Sequence, residues 1–343
     1  MKALLLSEYK KLDIVDLPVP QPGEDELLIR VQACGICGSD VHGYDGSTGR
    51  RLPPIVMGHE AAGIVESVGS AVGNFRAGDQ VTFDSTVSCG TCFYCLRGQI
   101  NLCENREVIG VSTPAFRRMG AFAEFVTLPA RIAYHLPESM PFSHAALIEA
   151  VSVAVHAVSL TPIAPDDTVV VVGAGTIGLL TLQVVLAAGA GTVYVLDVDD
   201  SRLELARSLG AKGAFNSRGA DVIFQILDLT SGRGADVAME CVGSTAPVKL
   251  ALDSVRKGGC VTLIGNVAPT VELGLQSAVT RQIRLQGSCA SSGEYPESIS
   301  LMSRGAVRVE PLISSVAPLE DGASWFHRLY EREPGLLKVV LEP

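Results

Sequence analysis

A chain of 343 residues with 27 Lys and Arg against 37 Asp and Glu carries a formal charge of −10, which excludes the clustered basic face that a nucleic-acid partner requires. Hydrophobic residues make up 47% and charged residues 19%; the charged share lies below the usual level of roughly 25%, so long disordered tails and coiled coils are excluded too. At about 150 residues per domain, the length predicts two domains.

The chain opens on an apolar run of four residues, Ala3 to Leu6. A secretory leader needs about 7–15, so a cytoplasmic protein with no membrane partner is expected. Residues 1–30 read as strands around a proline-rich turn, Pro18 to Gly23, with Leu27 to Val31 as one strand. From 31 to 130 the sequence is glycine-rich with short apolar runs such as Ala61 to Val68, which predicts a β-rich domain with long loops. Ser143 to Leu160 has the apolar spacing of one helix, ended by Pro162 and Pro165. The uncharged stretch Thr168 to Leu196 is long enough to span a bilayer, but five glycines divide it into strand, loop and helix.

At Val169 the texture changes. Strands at Val169 to Val172, Val193 to Leu196, Val237 to Glu240 and Val261 to Ile264 alternate with helices at Thr176 to Ala188 and Ser201 to Leu209. That alternation predicts βαβ units and a parallel sheet. Past about residue 285 the pattern is mixed, and a last strand, Lys338 to Leu341, is expected to return to the first domain.

Between the first strand and helix of this second half stands Gly173-Ala174-Gly175-Thr176-Ile177-Gly178. The first glycine permits a tight turn, the second lets a pyrophosphate approach the backbone, and the third lets helix and strand pack closely. The helix N-terminus offers free N–H groups to the phosphates. Asp197 ends the next strand, nineteen residues after Gly178. A carboxylate there binds ribose hydroxyls and repels a 2′-phosphate, which predicts NAD rather than NADP. Arg202 lies nearby and works against that preference, while Asp199 and Asp200 add negative charge. The bland alternative is a structural glycine turn with Asp197 as a helix cap.

The nine cysteines include Cys89, Cys92, Cys95 and Cys103, spaced C-x2-C-x2-C-x7-C. Four thiolates on one short loop suit a closed, structural tetrahedral zinc site; an iron–sulfur cluster is the metal alternative. A second dense run is Cys34-Gly35-Ile36-Cys37-Gly38-Ser39-Asp40-Val41-His42, followed by Gly58-His59-Glu60. A thiolate, an imidazole and a carboxylate leave an open position on zinc, the arrangement of a catalytic site. Cys34 reads as a small buried hydrophobe.

Taken together, the Cys37 to His42 run, Gly58-His59-Glu60, the four-cysteine lobe and the Gly173 to Gly178 loop resemble the zinc-dependent medium-chain dehydrogenases of the alcohol dehydrogenase superfamily, over essentially the whole chain. Ala146 to Ala157 resembles the sorbitol and sugar-alcohol-phosphate branch, with Glu149 where classical alcohol dehydrogenases place a cysteine. The resemblance implies an α/β protein in two domains. One is a GroES-like β-rich catalytic domain, 1–150 with 285–343, and the other a Rossmann doubly wound parallel sheet, 151–284. It also implies two zinc ions per chain and NAD. Cys37 and His59, with Glu60 or Glu149, would hold the catalytic zinc. Ser39 would be the relay hydroxyl, His42 the outer relay base, and Lys338 a basic residue reaching the cofactor phosphates.

The implied activity is hydride transfer between a secondary alcohol (a polyol, sugar alcohol or its phosphate) and NAD, by a homo-tetramer or homo-dimer. A threonine or other amino-alcohol dehydrogenase shares the motifs, and a non-catalytic dinucleotide-binding relative is the remote alternative. Two departures bear on substrate. Gly43 stands where sorbitol dehydrogenases tend to have tyrosine after the relay histidine, and Ala290-Ser291 where they have an arginine-tyrosine pair. Arg50, Arg51, Arg117 and Arg118 lie in loops where paired arginines suit a phosphate or carboxylate, though each by itself reads as a solvated charge.

Overall fold

The computed structural model describes residues 1–113 and 117–343. The chain forms two compact units, one of Met1–Glu149, Ser291–Ile299 and Leu312–Pro343, the other of Ala150–Ala290 and Ser300–Pro311. These limits differ from the expected 150 and 284. Strand Arg284–Gly287 adds to the edge of the parallel sheet, and the helix Tyr295–Ser303 is divided between the units.

The first unit is built on a seven-stranded sheet. Its order runs Ala133–His135, Gln80–Phe83, Glu60–Val68, Glu26–Gly35, Lys338–Glu342, Ile313–Pro318, and Phe125–Pro129 also pairs with Glu26–Gly35. Glu26–Gly35 is central and buried along most of its length. Leu27, Ile29, Val31 and Ala33 give it one wholly apolar, buried face, while exposed Arg30 and half-buried Gln32 interrupt the other. The expected return of the C-terminal strand is the pairing of Val340 with Gly35 and Leu341 with Cys34. On the other side Gly35 pairs with Glu60 and Cys34 with Ala61. These two registers bring three distant stretches to one end of the sheet: the chain leaving Gly35 toward Cys37, the start of the strand at Glu60, and Lys338. Leu27, Ile29, Phe83, Phe122 and Phe326 fill the core beneath.

The second unit carries six parallel strands in the order Gly213–Asn216, Thr192–Asp197, Thr168–Val172, Ala235–Glu240, Val255–Leu263, Arg284–Gly287. In chain order this is 3-2-1-4-5-6, the doubly wound arrangement. Its strand order reverses between Thr168–Val172 and Ala235–Glu240, and ligands bind at such reversals. Strands buried on both faces account for the unbroken runs Val169 to Val172 and Val193 to Leu196.

The expected helix Ser143 to Leu160 is two helices, Phe142–Ala145 and Ile148–Ser159. The chain tightens where the Leu147 N–H donates to the His144 carbonyl, three residues back, instead of to Ser143, four residues back. Phe142–Ser159 is long and apolar enough to cross a membrane, yet 67% of it is buried inside the protein. Among the described residues all nine cysteines are free thiols.

Candidate functional site

Cys37, His59 and Glu60 converge, with one ligand atom from each lying within 4.8 Å of the others. Each owes its place to a different element. Cys37 is the N-cap of the helix Gly38–Tyr44, and its Sγ accepts the Ser39 N–H at 3.5 Å. His59 is held just before the strand that Glu60 begins. Glu60 sits at the register position opposite Gly35, where an added Cβ would come within 2.6 Å of the Glu60 Oε2.

Outside this trio lies Asp40, fully buried. Its Oδ2 faces the His59 Nδ1 at 3.4 Å, and its Oδ1 accepts from Arg51 Nη2 at 2.9 Å and Nε at 3.2 Å. Burial by itself raises a carboxyl pKa, but His59 and Arg51 outweigh it and hold Asp40 well below the usual carboxylate range. Burial disfavours a charged His59, yet Asp40 and Cys37 prevail and raise its pKa well above the ordinary imidazole value. With Nδ1 turned to a carboxylate, Nε2 is the nitrogen presented to a metal, the arrangement that fixes ring orientation in metal-binding histidines.

Two expected roles change. Lys338, expected at the cofactor phosphates, is 2% exposed and donates to the Glu60 Oε2 at 2.6 Å and the Ile36 carbonyl at 3.0 Å. The pairing of Val340 with Gly35 carries it inward. Glu149 is not in the converging trio, although it lies in the first turn of Ile148–Ser159 under the charges of His59 and Glu60. Burial pushes its carboxyl up to about 7; Glu60 and Asp84 add to the rise, and His59 and Lys338 oppose it. A carboxyl with that value exchanges protons near neutral pH.

Ser39 and His42 lie three residues apart on the helix Gly38–Tyr44 and so share a face. Ser39 is exposed and His42 half-buried. Of the four loop arginines, Arg51 is buried against Asp40, Arg118 pairs with Glu26 and Glu107, and Arg117 donates to the Pro54 carbonyl. Asp40 and Arg51 are the working residues that sequence reasoning missed. Asp40 stood inside the quoted run with no role, and nothing local distinguishes Arg51 from a solvated cation.

The four-cysteine lobe is assembled on two short 3-10 turns, Cys95–Arg97 and Ile100–Leu102. Ligand atoms of Cys89, Cys92, Cys95 and Cys103 all lie within 4.8 Å of one another. The Cys89 and Cys95 sulfurs are 4.0 Å apart, and those of Cys92 and Cys103 3.9 Å. A tetrahedron with zinc–sulfur arms of about 2.3 Å has edges of about 3.8 Å, so the thiols fit zinc as they stand. Hydrogen bonds from the Thr91 backbone and hydroxyl and from the Cys92 backbone bring the Cys89 thiol down to about 5.

In the second unit, Gly173 has φ +97 and Gly178 has no room for a side chain, since its Cβ would lie 1.7 Å from the Gly173 carbonyl. At Gly175 a Cβ would meet nothing within 4 Å. This is open space over the N-terminus of the helix Thr176–Ala187, whose cap has no side-chain hydrogen bond. The cradle fits a dinucleotide pyrophosphate, with Thr176 and Ile177 supplying the first turn. Asp197 ends its strand with Oδ2 accepting the Ala174 N–H at 2.5 Å and Oδ1 those of Val198 and Asp199. Arg202 pairs with Asp199 at 3.8 Å.

Residues 23–138 match the family model for the alcohol dehydrogenase GroES-like domain, and residues 175–304 that for zinc-binding dehydrogenases. The whole chain is 35% identical to a sorbitol dehydrogenase of Bacillus subtilis (strain 168), of which the match covers 97%. A putative zinc-binding dehydrogenase from Sinorhizobium meliloti 1021, solved bound to NADP, superposes with a TM-score of 0.91 at 32% identity, covering 100% of this chain and 99% of that one. Galactitol-1-phosphate dehydrogenase from Escherichia coli does so with a TM-score of 0.92 at 28% identity, covering 100% of both chains.

Proposed function

Since the chain belongs to the zinc-binding dehydrogenases of the alcohol dehydrogenase family, we propose that it transfers a hydride between a secondary alcohol, in the form of a polyol, sugar alcohol or its phosphate, and NAD. The observation that carries this reading is the convergence of Cys37, His59 and Glu60 in a chain that also holds an open dinucleotide cradle at Gly175.

Cys37 and His59, with Glu60 or Glu149, would hold the catalytic zinc, and the four-cysteine lobe would hold the second. Zinc, when bound, polarises the substrate hydroxyl and lowers its pKa. Ser39 accepts the hydroxyl proton, and His42, on the same helix face, passes it to solvent. NAD, when bound, would supply the acceptor for the hydride and its electron pair from the carbinol carbon, which turns the alcohol into a ketone. Lys338 holds Glu60 by its Oε2, which leaves Oε1 as the oxygen that Glu60 would offer a metal; Glu149, with its pKa near 7, is the neighbouring carboxyl that takes or gives a proton. Asp197 supplies the negative charge that favours NAD over NADP, with Arg202 drawn to Asp199. With Arg51 and Arg118 paired, the exposed Arg50 and Arg117 are the loop cations that can meet a substrate phosphate.

The protein works in the cytoplasm as a homo-oligomer. Strand Arg284–Gly287 is an open sheet edge, flanked by exposed Leu273, Leu275, Val279 and Leu285. An edge strand with an apolar margin is a template for pairing with another strand. A second copy of the chain, related by a two-fold axis, presents the same edge antiparallel.

The test is NAD reduction over a panel of free polyols, polyol phosphates, simple secondary alcohols and threonine. Turnover of a polyol or its phosphate is expected. Turnover of threonine alone would replace the substrate class, and no turnover by protein that binds zinc and NAD would refute it.

A further inference from the structure

We propose that Arg51 is a positioning residue for the zinc-binding imidazole and the relay hydroxyl, acting through Asp40 and Ser39. The inference rests on reading Cys37, His59 and Glu60 as the catalytic zinc centre.

Arg51 is 4% exposed, an uncommon place for a guanidinium unless its donors are taken up. They are taken up in a divided way. Nε and Nη2 both reach Asp40 Oδ1, at 3.2 and 2.9 Å, and Nη2 also reaches Ser39 Oγ at 3.3 Å. The other Asp40 oxygen is left to face His59 Nδ1 at 3.4 Å. A lone carboxylate beside an imidazole can rotate about its Cβ–Cγ bond and offer either oxygen. Two Arg51 donors converging on Oδ1 hold that oxygen in place, which leaves Oδ2 as the one turned to the imidazole. Arg51 therefore decides which oxygen Asp40 presents, Asp40 sets the ring of His59, and the ring directs Nε2 toward Cys37 and Glu60. At Ser39, Arg51 is the donor and Oγ the acceptor, so the hydroxyl hydrogen must point to some other acceptor. That orients the hydroxyl for proton transfer.

A second observation shows that the backbone accommodates this side chain. Arg51 lies across the helix Gly38–Tyr44 at Gly43, where an added Cβ would come within 2.2 Å of Arg51 Cγ and 2.9 Å of its Cβ. A side chain larger than that of glycine at position 43 cannot coexist with Arg51 in this pose.

The experiment compares wild type, Arg51→Met, Arg51→Lys and Gly43→Ala as full chains loaded with zinc. Zinc content, the rate of zinc release to a chromogenic chelator, and the visible spectrum after cobalt substitution are measured. Wild type should hold two zinc ions. Arg51→Met should release the catalytic zinc about tenfold faster, at the low end for outer residues around metal sites, and shift the cobalt spectrum, while the four-cysteine zinc is unchanged. Arg51→Lys should recover part of the loss, having the charge but not the fork. Gly43→Ala keeps every ligand and improves helix propensity, yet should also speed release by displacing Arg51. It decides the matter alone if Arg51→Met does not fold. Release rates and spectra equal to wild type in the variants, even with a lowered unfolding midpoint, would overturn the proposal. A wild-type chain with zinc only in the cysteine lobe would instead overturn the zinc centre on which it rests.

Discussion

Asp84 shows how far a single residue can depart from what its sequence context announces. It follows the strand Gln80–Phe83 and is 2% exposed, with Oδ1 accepting the Thr86 N–H at 2.8 Å and Oδ2 the Ser291 hydroxyl at 3.5 Å. Burial pushes its carboxyl from 3.8 to about 6; the Thr86 donors oppose the rise and Glu294 adds to it. Because the folded value lies above the unfolded one, the neutral form is favoured by folding. Its contribution is intact below about pH 4 and is lost as pH rises through 6, a cost of about 3 kcal/mol at pH 8. Asp84→Asn should therefore raise the denaturant midpoint at pH 8, and less so at pH 5. Equal gains at both pH values would mean that Asp84 is not held as a neutral acid. Lys338 makes the complementary point, since a buried lysine read from sequence as a phosphate contact is spent on Glu60.

At the scale of elements, the glycine loop and its helix show which local signals are sufficient. The loop's third glycine packs against its first: a Cβ at Gly178 would stand 1.7 Å from the Gly173 carbonyl. Relief requires the helix Thr176–Ala187 to move from the strand Thr168–Val172, which displaces the N–H groups that face a pyrophosphate. Gly178→Ala should weaken NADH binding at least tenfold by fluorescence titration, with zinc content unchanged; wild-type affinity would show that the loop does not carry the cofactor. The helix Gly38–Tyr44 works in the opposite way. At seven residues it is too short to be read from periodicity, yet it carries Ser39, Asp40 and His42. Its motif was legible, and its helical state was not.

For the whole molecule, the open edge at Arg284–Gly287 and its apolar margin bear on assembly. Leu275 and Val279 are 66% and 68% exposed on the helix Leu275–Thr280, and an apolar margin of this kind marks an interaction surface. Leu275→Glu with Val279→Glu should convert the proposed oligomer to monomer in light scattering after size exclusion, leaving the zinc content intact. A monomeric wild type, or an oligomer unaffected by both charges, would remove this face from the assembly.

The sequence by itself determined the parallel sheet of βαβ units, the glycine loop, the four-cysteine lobe and the candidacy of Cys37, His59 and Glu60. Each of these is written in short-range spacing: β-branched runs bounded by glycine, three glycines at fixed offsets, and thiols separated by two residues. Tertiary structure alone decided what those residues touch. The strand pairings of Gly35 with Glu60 and with Val340 join segments 25 and 305 residues apart and place Lys338 on Glu60. Burial, which no spacing encodes, turned Arg51 from a loop charge into the partner of Asp40. Pairing register and desolvation are sums over the whole fold, so the candidate ligands could be read from the chain while the groups packed around them could not.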